Sequence, residues 1–430
     1  MKTAEYNVLI AGTGAAGLCC ALNLPAEMRV LLLTKARADE SDSFLAQGGI
    51  CMLRGKEDYF GYFEDTVRAG HYENDPAAVR LMIESSPAMI EELVGYGVQF
   101  ARDENGNFRF TREGGHRRPR ILFHGDETGR EITKTLLAAV RLLPNVTIRE
   151  NAELVDILAE GNECFGGVVR DCATGETEDV HADFTLLATG GVGGLYENST
   201  NFRHLTGDAL AVALAHGVQV EHLNYVQIHP TTFYSEEEGR RFLISESVRG
   251  EGAVLLDKNG SRFCNELMPR DVVTGEIRQQ MEKDGTKFVW LDMRPVGKET
   301  LEEHFPTICA HCREKGFDVL KEPIPVVPAQ HYFMGGVKVD LDGKTSMRRL
   351  YAAGETACNG VHGRNRLASN SLLESLIWAE RAAKSMAQLR GLRIERFPVS
   401  DKSVYADYAA LKKRYAESIR EEAEREEWCD

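Results

Sequence analysis

The sequence predicts an α/β protein, a nucleotide-binding sheet domain interrupted by an inserted α+β domain and followed by a short helical tail. Three observations predict it. An apolar strand at the start of the chain runs into a glycine-rich turn and a helix. Two further apolar strands that end in glycine, at 184–191 and 350–355, lie far downstream. Between them, from about Leu223 to Gln330, short strands, charged helices and prolines replace that pattern.

Taken in order, Tyr6 to Ala11 reads as a buried strand, Gly12 to Gly17 as a tight turn and Leu18 to Leu24 as a helix. Arg29 to Thr34 is a second strand, which completes a βαβ unit. Gly12-Thr13-Gly14-Ala15-Ala16-Gly17 is G-x-G-x-x-G in the strand-turn-helix setting that gives this motif its meaning. Gly12 permits the turn, Gly14 lets backbone approach a pyrophosphate, and Gly17 lets helix and strand pack closely. The phosphates then meet the free N–H groups at the helix start. The acidic residue expected about 20 residues further on is absent, and Thr34-Lys35-Ala36-Arg37 stands there instead. Thr34 or backbone could hold a ribose hydroxyl while Lys35 and Arg37 meet phosphate, so the motif by itself leaves NADP open beside FAD.

Residues 151–183, with short β-prone runs split by glycines, read as a small antiparallel meander. Phe184 to Gly191 and Leu350 to Glu355 are strands with nucleotide-type ends. The inserted stretch leaves through a proline-rich exit, Pro323-x-Pro325-x-x-Pro328. Ser369 to Leu389 has a helical pattern, and from Ser403 onward Ala, Leu, Lys, Arg and Glu dominate. Residues 420–427 read as a solvated helical face.

The chain's 430 residues suffice for two or three domains. Lys and Arg number 51 against 66 Asp and Glu, a net charge of -15, which argues against a nucleic-acid partner. Ten cysteines are too few for a disulfide scaffold, and Cys309-x-x-Cys312 lacks the second ligand pair of a zinc site, so no metal is expected. No run approaches the ~20 apolar residues of a membrane span. The first residues imitate a signal peptide, but Glu5 and the glycine motif fit that reading poorly. A cytoplasmic protein is expected.

Ser43-Phe44-Leu45-Ala46-Gln47-Gly48-Gly49-Ile50 resembles the flavin-contacting segment of the succinate dehydrogenase and fumarate reductase flavoprotein family. Further matches follow in the family's order. They are His229-Pro230-Thr231, Arg249-Gly250-Glu251-Gly252, Pro269-Arg270-Asp271, His331-Tyr332-Phe333-Met334-Gly335-Gly336 and Asn365-Arg366-Leu367-Ala368-Ser369-Asn370-Ser371-Leu372. The resemblance runs from Tyr6 to about Leu389. Within it, Thr111-Arg112-Glu113-Gly114-Gly115-His116 is more similar to the L-aspartate oxidase branch than to the respiratory enzymes. Respiratory members attach FAD through a histidine at the position of Asp42, so the resemblance implies non-covalent FAD.

The implied organisation is an FAD-binding domain over 1–222 and 333–389, Rossmann-like, a capping domain over 223–332, and a truncated C-terminal helical segment over 390–430. Familiar members of the branch carry a longer helical region there. The implied FAD contacts are Gly12, Gly14, Ala15, Ala16, Gly17, Lys35, Ser43, Gln47, Gly48, Gly49, Thr189, Gly190, Gly191, Asp208, Gly354, Glu355, Asn370, Ser371 and Leu372.

Oxidising a small dicarboxylate requires both carboxylates to be held so that the Cα–H bond faces the flavin, and Arg with His is suited to that work. Arg270, Arg366, His229 and His331 are the implied substrate groups, with Ser245 and Glu246 beside them. Glu113 is the discriminating residue, because an amino-acid substrate brings an ammonium group that a carboxylate can pair with. Arg270 could shuttle a proton, helped by Glu246 or Asp271, or only clamp carboxylate. His116, His124, His204 and His222 are expected to be structural. The implied reaction is oxidation of L-aspartate to iminoaspartate with FAD, the first step of de novo NAD synthesis. Oxygen or fumarate would reoxidise the flavin, and the product would pass to quinolinate synthase. The rivals are a soluble fumarate reductase or succinate dehydrogenase flavoprotein, and a flavin-binding protein without turnover.

Overall fold

The computed structural model describes residues 5–391 and 397–427. Its main sheet has seven strands. Val146–Arg149, Val30–Leu33, Tyr6–Ala11 and Thr177–Leu187 lie side by side in parallel, and Leu350–Ala352 also pairs in parallel with Thr177–Leu187. Val8 to Ala11 and Val30 to Leu33 are buried on both faces, as continuous apolar runs in a covered parallel sheet must be. Ala11 pairs with both Leu33 and Leu187, and Leu187 with Ala352, so four strand ends finish level. Gly12, Ala188 and Ala353 therefore open one crevice at the carboxyl edge of the sheet, where this kind of fold binds its ligands.

The meander consists of Ala152–Ala159, Cys164–Asp171 and the first part of Thr177–Leu187. The meander and the strand expected at Phe184 share a single long element, whose last residues continue into the parallel sheet. The first helix begins at Ala15 rather than Leu18.

A second, antiparallel sheet is ordered Val226–Phe233, Ile324–Phe333, Val289–Asp292, Val254–Leu256. It packs with the helices Arg270–Asp284, Lys298–His304 and Pro306–Glu314 around its own apolar core, which includes Cys309 and Cys312. The proline-rich exit proves to be part of the central strand Ile324–Phe333. Between His229 and Thr232 the register shifts, placing Pro230 and Pro328 together at a bulge where the ladder is broken and no N–H is missed.

In the C-terminal helix Tyr408–Glu427 the stretch read as a solvated face is helical and none of residues 420–426 is buried, whereas the turns before it pack inward. Tyr405, Leu411, Tyr415 and Ile419 are buried against the meander side of the main sheet. The Tyr405 hydroxyl donates to Asp156 at 2.7 Å and that of Tyr415 to the Val155 carbonyl at 2.6 Å. Even Glu426, in the stretch read as solvent-facing, accepts from the His222 N–H at 2.9 Å.

Candidate active site

A continuous cavity of about 1100 Å³ runs from the glycine turn to the capping sheet. Its nucleotide end is shaped by glycines that no other residue could replace. Gly12 has φ +117°, and a Cβ there would stand 1.9 Å from the Ala188 carbonyl oxygen. A Cβ at Gly17 would stand 1.9 Å from the Gly12 carbonyl oxygen, so Gly17 serves helix packing and does not line the cavity. The Ala15 N–H at the helix start donates to Ser43 Oγ at 3.0 Å, which ties the turn to the segment ending in Gln47-Gly48-Gly49.

Most of the expected cofactor residues line this cavity: Gly12, Gly14, Ala15, Ala16, Lys35, Ser43, Gln47, Gly48, Gly49, Thr189, Gly190, Asp208, Gly354, Glu355, Ser371 and Leu372. Gly191 and Asn370 do not. Gly191 gives room to Glu355, whose Oε1 would lie 2.4 Å from a Cβ there. Asn370 turns into the core, accepting from the Tyr62 hydroxyl at 2.8 Å and donating to Thr66 Oγ at 3.2 Å. Lys35 is held by Asp208 rather than left free for a 2′-phosphate, and Arg37 pairs outward with Asp39 at 3.0 Å.

The residues present fit FAD. The cradle is glycine-walled, and Ser41 Oγ, Asp42 Oδ2 and Gln47 Oε1 are buried on the cavity wall without a hydrogen-bond partner. Such orphaned groups are what an absent polar ligand would satisfy. Burial pushes the Asp42 carboxyl up to about 7, while its other oxygen accepts from the Phe202 N–H at 2.9 Å. Burial also raises Glu355 to about 8, and its Oε1 accepts from the Phe333 N–H at 2.9 Å.

At the far end, four cationic or imidazole groups converge. Arg270 opens the helix Arg270–Asp284. Its Nε donates to Glu246 Oε2 at 2.5 Å and its Nη1 to Gln227 Oε1 at 2.7 Å. Arg366 donates from Nη2 to that same Gln227 oxygen at 3.2 Å and from Nη1 to Ser371 Oγ at 2.5 Å, while its Nε has no partner. Its guanidinium lies 4.4 Å from the centre of the Tyr332 ring. Burial, with Arg270 nearby, lowers Arg366 to about 10. The rings of His229 and His331 are 5.1 Å apart, and burial followed by Arg270 holds both well below the usual imidazole value. His229 Nε2 is buried and unpartnered, whereas His331 Nδ1 meets Thr200 Oγ at 2.8 Å.

Glu113 lines the same cavity and is 4% exposed. Ser247 Oγ donates to its Oε1 at 3.0 Å and Ser369 Oγ to its Oε2 at 2.5 Å. Burial and then the neighbouring Glu246 raise its pKa. Burial would raise Glu246 as well, but Arg270 and Arg249 outweigh it and hold that carboxylate ionised. Two glycines allow the packing: a Cβ at Gly48 would lie 2.5 Å from Glu113 Oε1, and one at Gly114 would lie 2.2 Å from Glu246 Oε1. Ser245 caps the short helix that begins at Glu246, accepting from the Ser247 N–H at 3.3 Å.

Asp271 is not a partner of Arg270. It is exposed and pairs with His71 at 3.3 Å, so of these two carboxylates Glu246 is the one that touches that arginine. His116 is buried in a network with Arg120, Asp58 and Asp65. Its Nδ1 lies 2.9 Å from Arg120 Nη1, and burial holds it down at about 4. Sequence reasoning missed Gln227, Ser247 and Thr200. A signal for Gln227 was available, because it stands two residues before His229 in one strand and so shares its face.

A family model described as "FAD binding domain" matches residues 7–372. The chain is 49% identical to an L-aspartate oxidase of Clostridium perfringens, over 88% of this chain and 85% of that one. It is 46% identical to an L-aspartate oxidase of Clostridium acetobutylicum, over 89% and 88%. Among solved structures, a variant of the E. coli quinol fumarate reductase superposes with a TM-score of 0.84 at 28% identity, over 96% of this chain and 74% of that one. A quinol-fumarate reductase with menaquinol molecules gives 0.85 at 30% identity, over 96% and 76%. With the glycine-walled crevice, the Gln47-Gly48-Gly49 segment and the Arg270, Arg366, His229 and His331 cluster in one cavity, the chain belongs to the L-aspartate oxidase family, within the FAD-binding flavoproteins of the succinate dehydrogenase and fumarate reductase type.

Proposed function

We propose that this chain oxidises L-aspartate to iminoaspartate, the opening reaction of de novo NAD synthesis from aspartate. The observation that carries the reading is that a carboxylate, Glu113, shares one buried cavity with two arginines and two neutral imidazoles, while the other carboxylate at that end, Glu246, is taken up by Arg270. That pattern complements a substrate with two carboxylates and one ammonium group. When bound, FAD supplies the acceptor for the hydride that leaves Cα.

The chain's own residues do the rest. Arg366 and Arg270 are held at a fixed spacing by the shared Gln227 oxygen, which suits them to bind the two carboxylates without reorganising. Glu246 and Gln227 take Nε and Nη1 of Arg270, which leaves Nη2 for the substrate and favours a clamping role. The free Nε2 of His229 offers a further hydrogen bond at the carboxylate end. Glu113 receives the ammonium group and, because burial raises its proton affinity, is suited to take up the proton that must leave nitrogen as the imine forms.

We place the capping role in residues 223–332 and the flavin role in 1–222 and 333–389. Oxygen and fumarate are the proposed acceptors, the latter because the same arginines suit a flat dicarboxylate. A quinolinate synthase is the proposed consumer of the unstable imine. Free, buried thiols such as Cys19 and Cys20 support a cytoplasmic setting. The test is anaerobic mixing of holoprotein with L-aspartate, D-aspartate or succinate while flavin absorbance is followed. L-aspartate is expected to bleach the flavin. Bleaching by succinate and not by L-aspartate would overturn the reading in favour of a succinate dehydrogenase or fumarate reductase.

A further inference from the structure

We infer that the C-terminal helix, through Lys412, is a working part of the FAD site and sets the charge at its nucleotide end. The inference rests on FAD as cofactor, not on the identity of the oxidised substrate.

The wall of the cavity beside the glycine turn carries Lys35, Glu153, Thr206 and Asp208. Two of these are carboxylates, and Lys35, the one cation among the four, stands at the end of the second strand. Lys35 bonds to Asp208 and lies 3.8 Å from Glu153. Lys412 reaches in from the C-terminal helix, more than 200 residues away in sequence. It pairs with Asp208, donates to Glu153 at 3.2 Å and donates to Thr206 Oγ at 3.1 Å. Glu153 also accepts from the Tyr408 hydroxyl of the same helix at 2.6 Å.

The cluster thus holds two cations and two carboxylates and is neutral as built. Without Lys412 it carries one net negative charge on the wall of a crevice shaped for a pyrophosphate. Asp208 and Glu153 are 6% and 4% exposed, so water screens that charge weakly. Burial pushes Asp208 towards protonation, but Lys35 and then Lys412 outweigh it and keep the carboxylate charged. The helix itself is fixed by buried Leu411, Tyr415 and Ile419, so Lys412 is delivered on a rigid element. Lys412 is accordingly a positioning residue: it acts on the cofactor through Asp208 and Glu153.

The test is FAD affinity, read from flavin fluorescence when full-length holoprotein is diluted at low and at high salt. Lys412→Met is expected to weaken FAD binding about tenfold at low salt, the effect of one uncompensated charge near an anion at an effective dielectric constant of about 20, and by less at high salt. Lys412→Arg is expected to match the wild type. Adding Asp208→Asn to Lys412→Met restores neutrality and is expected to recover most of the loss. Lys413→Met removes an equal charge from an exposed neighbour, 79% exposed and paired only at 3.8 Å with Glu417, and is expected to change nothing. Lys412→Gln serves in place of Lys412→Met if the latter does not fold. The inference is overturned if the neutral variants bind FAD as tightly as wild type, if Lys413→Met loses as much, or if the loss ignores both salt and the second substitution.

Discussion

Gln227 is the residue whose removal says most about how the substrate end is built. Its amide oxygen accepts from Arg270 Nη1 at 2.7 Å and Arg366 Nη2 at 3.2 Å, and its amide nitrogen donates to Asn365 Oδ1 at 2.7 Å and to the Arg366 carbonyl at 2.8 Å. It is 3% exposed, so these bonds are shielded from bulk water. Gln227→Leu keeps the volume and removes the bracket between the two guanidiniums. A hydrogen bond to a charged donor contributes about 1.5–3 kcal/mol, and tenfold in rate corresponds to about 1.36 kcal/mol. Loss of one such bond in the catalytic geometry therefore lowers kcat/KM for L-aspartate by about 10- to 150-fold. The assay is steady-state turnover normalised to bound flavin, since Gln227 does not line the cofactor end and FAD content should be unchanged. A variant within twofold of wild type would refute the idea that Gln227 fixes the arginine spacing.

Two further outcomes follow from the same geometry. Arg120 is fully buried between Asp58 at 3.0 Å and Asp65 at 2.8 Å, so Arg120→Met leaves two buried carboxylates without their partner and is expected to cost about 3–5 kcal/mol in urea unfolding. A loss below about 1 kcal/mol would show that the network is not structural. For His229 and His331 the native state binds protons less readily than the unfolded chain. Each contributes stability that is complete above the ordinary imidazole value of 6.5 and is lost as pH falls towards its lower native value. Histidine NMR at pH 5.5 is expected to show both rings still neutral, and a charged ring at that pH would contradict the packing described here.

The crevice was legible in the sequence because its requirements are local. Gly12 and Gly17 answer to backbone distances of 1.9 Å that only glycine tolerates, and an apolar run before them can only be a covered strand. The substrate cluster was legible because Arg270, Arg366, His229 and His331 sit inside short, ordered motifs. Partnerships across long separations were not legible. Nothing near Lys412 in the chain marks it as a partner of Asp208, and Asp271 looked like an aid to Arg270 by adjacency, whereas its side chain points out to His71. The end of the last helix, residues 420–427, read as solvated because it is almost wholly charged, while Leu411, Tyr415 and Ile419 before it recur at helical spacing and bury one face. The proline-rich exit looked like a break because prolines are poor in strands, and only the bulge opposite Pro328 shows why that residue is tolerated there.

The central claim is that Glu113 reads the ammonium group of the substrate. The direct measurement is Glu113→Gln, assayed for both L-aspartate oxidation and fumarate reduction in the same preparation. Removing a charge-assisted contact of about 3 kcal/mol is expected to lower kcat/KM for L-aspartate about 100-fold, while fumarate, which has no ammonium group, is reduced at close to the wild-type rate. If both activities stay intact, or if both fall together, Glu113 does not discriminate the amino acid and the assignment is wrong.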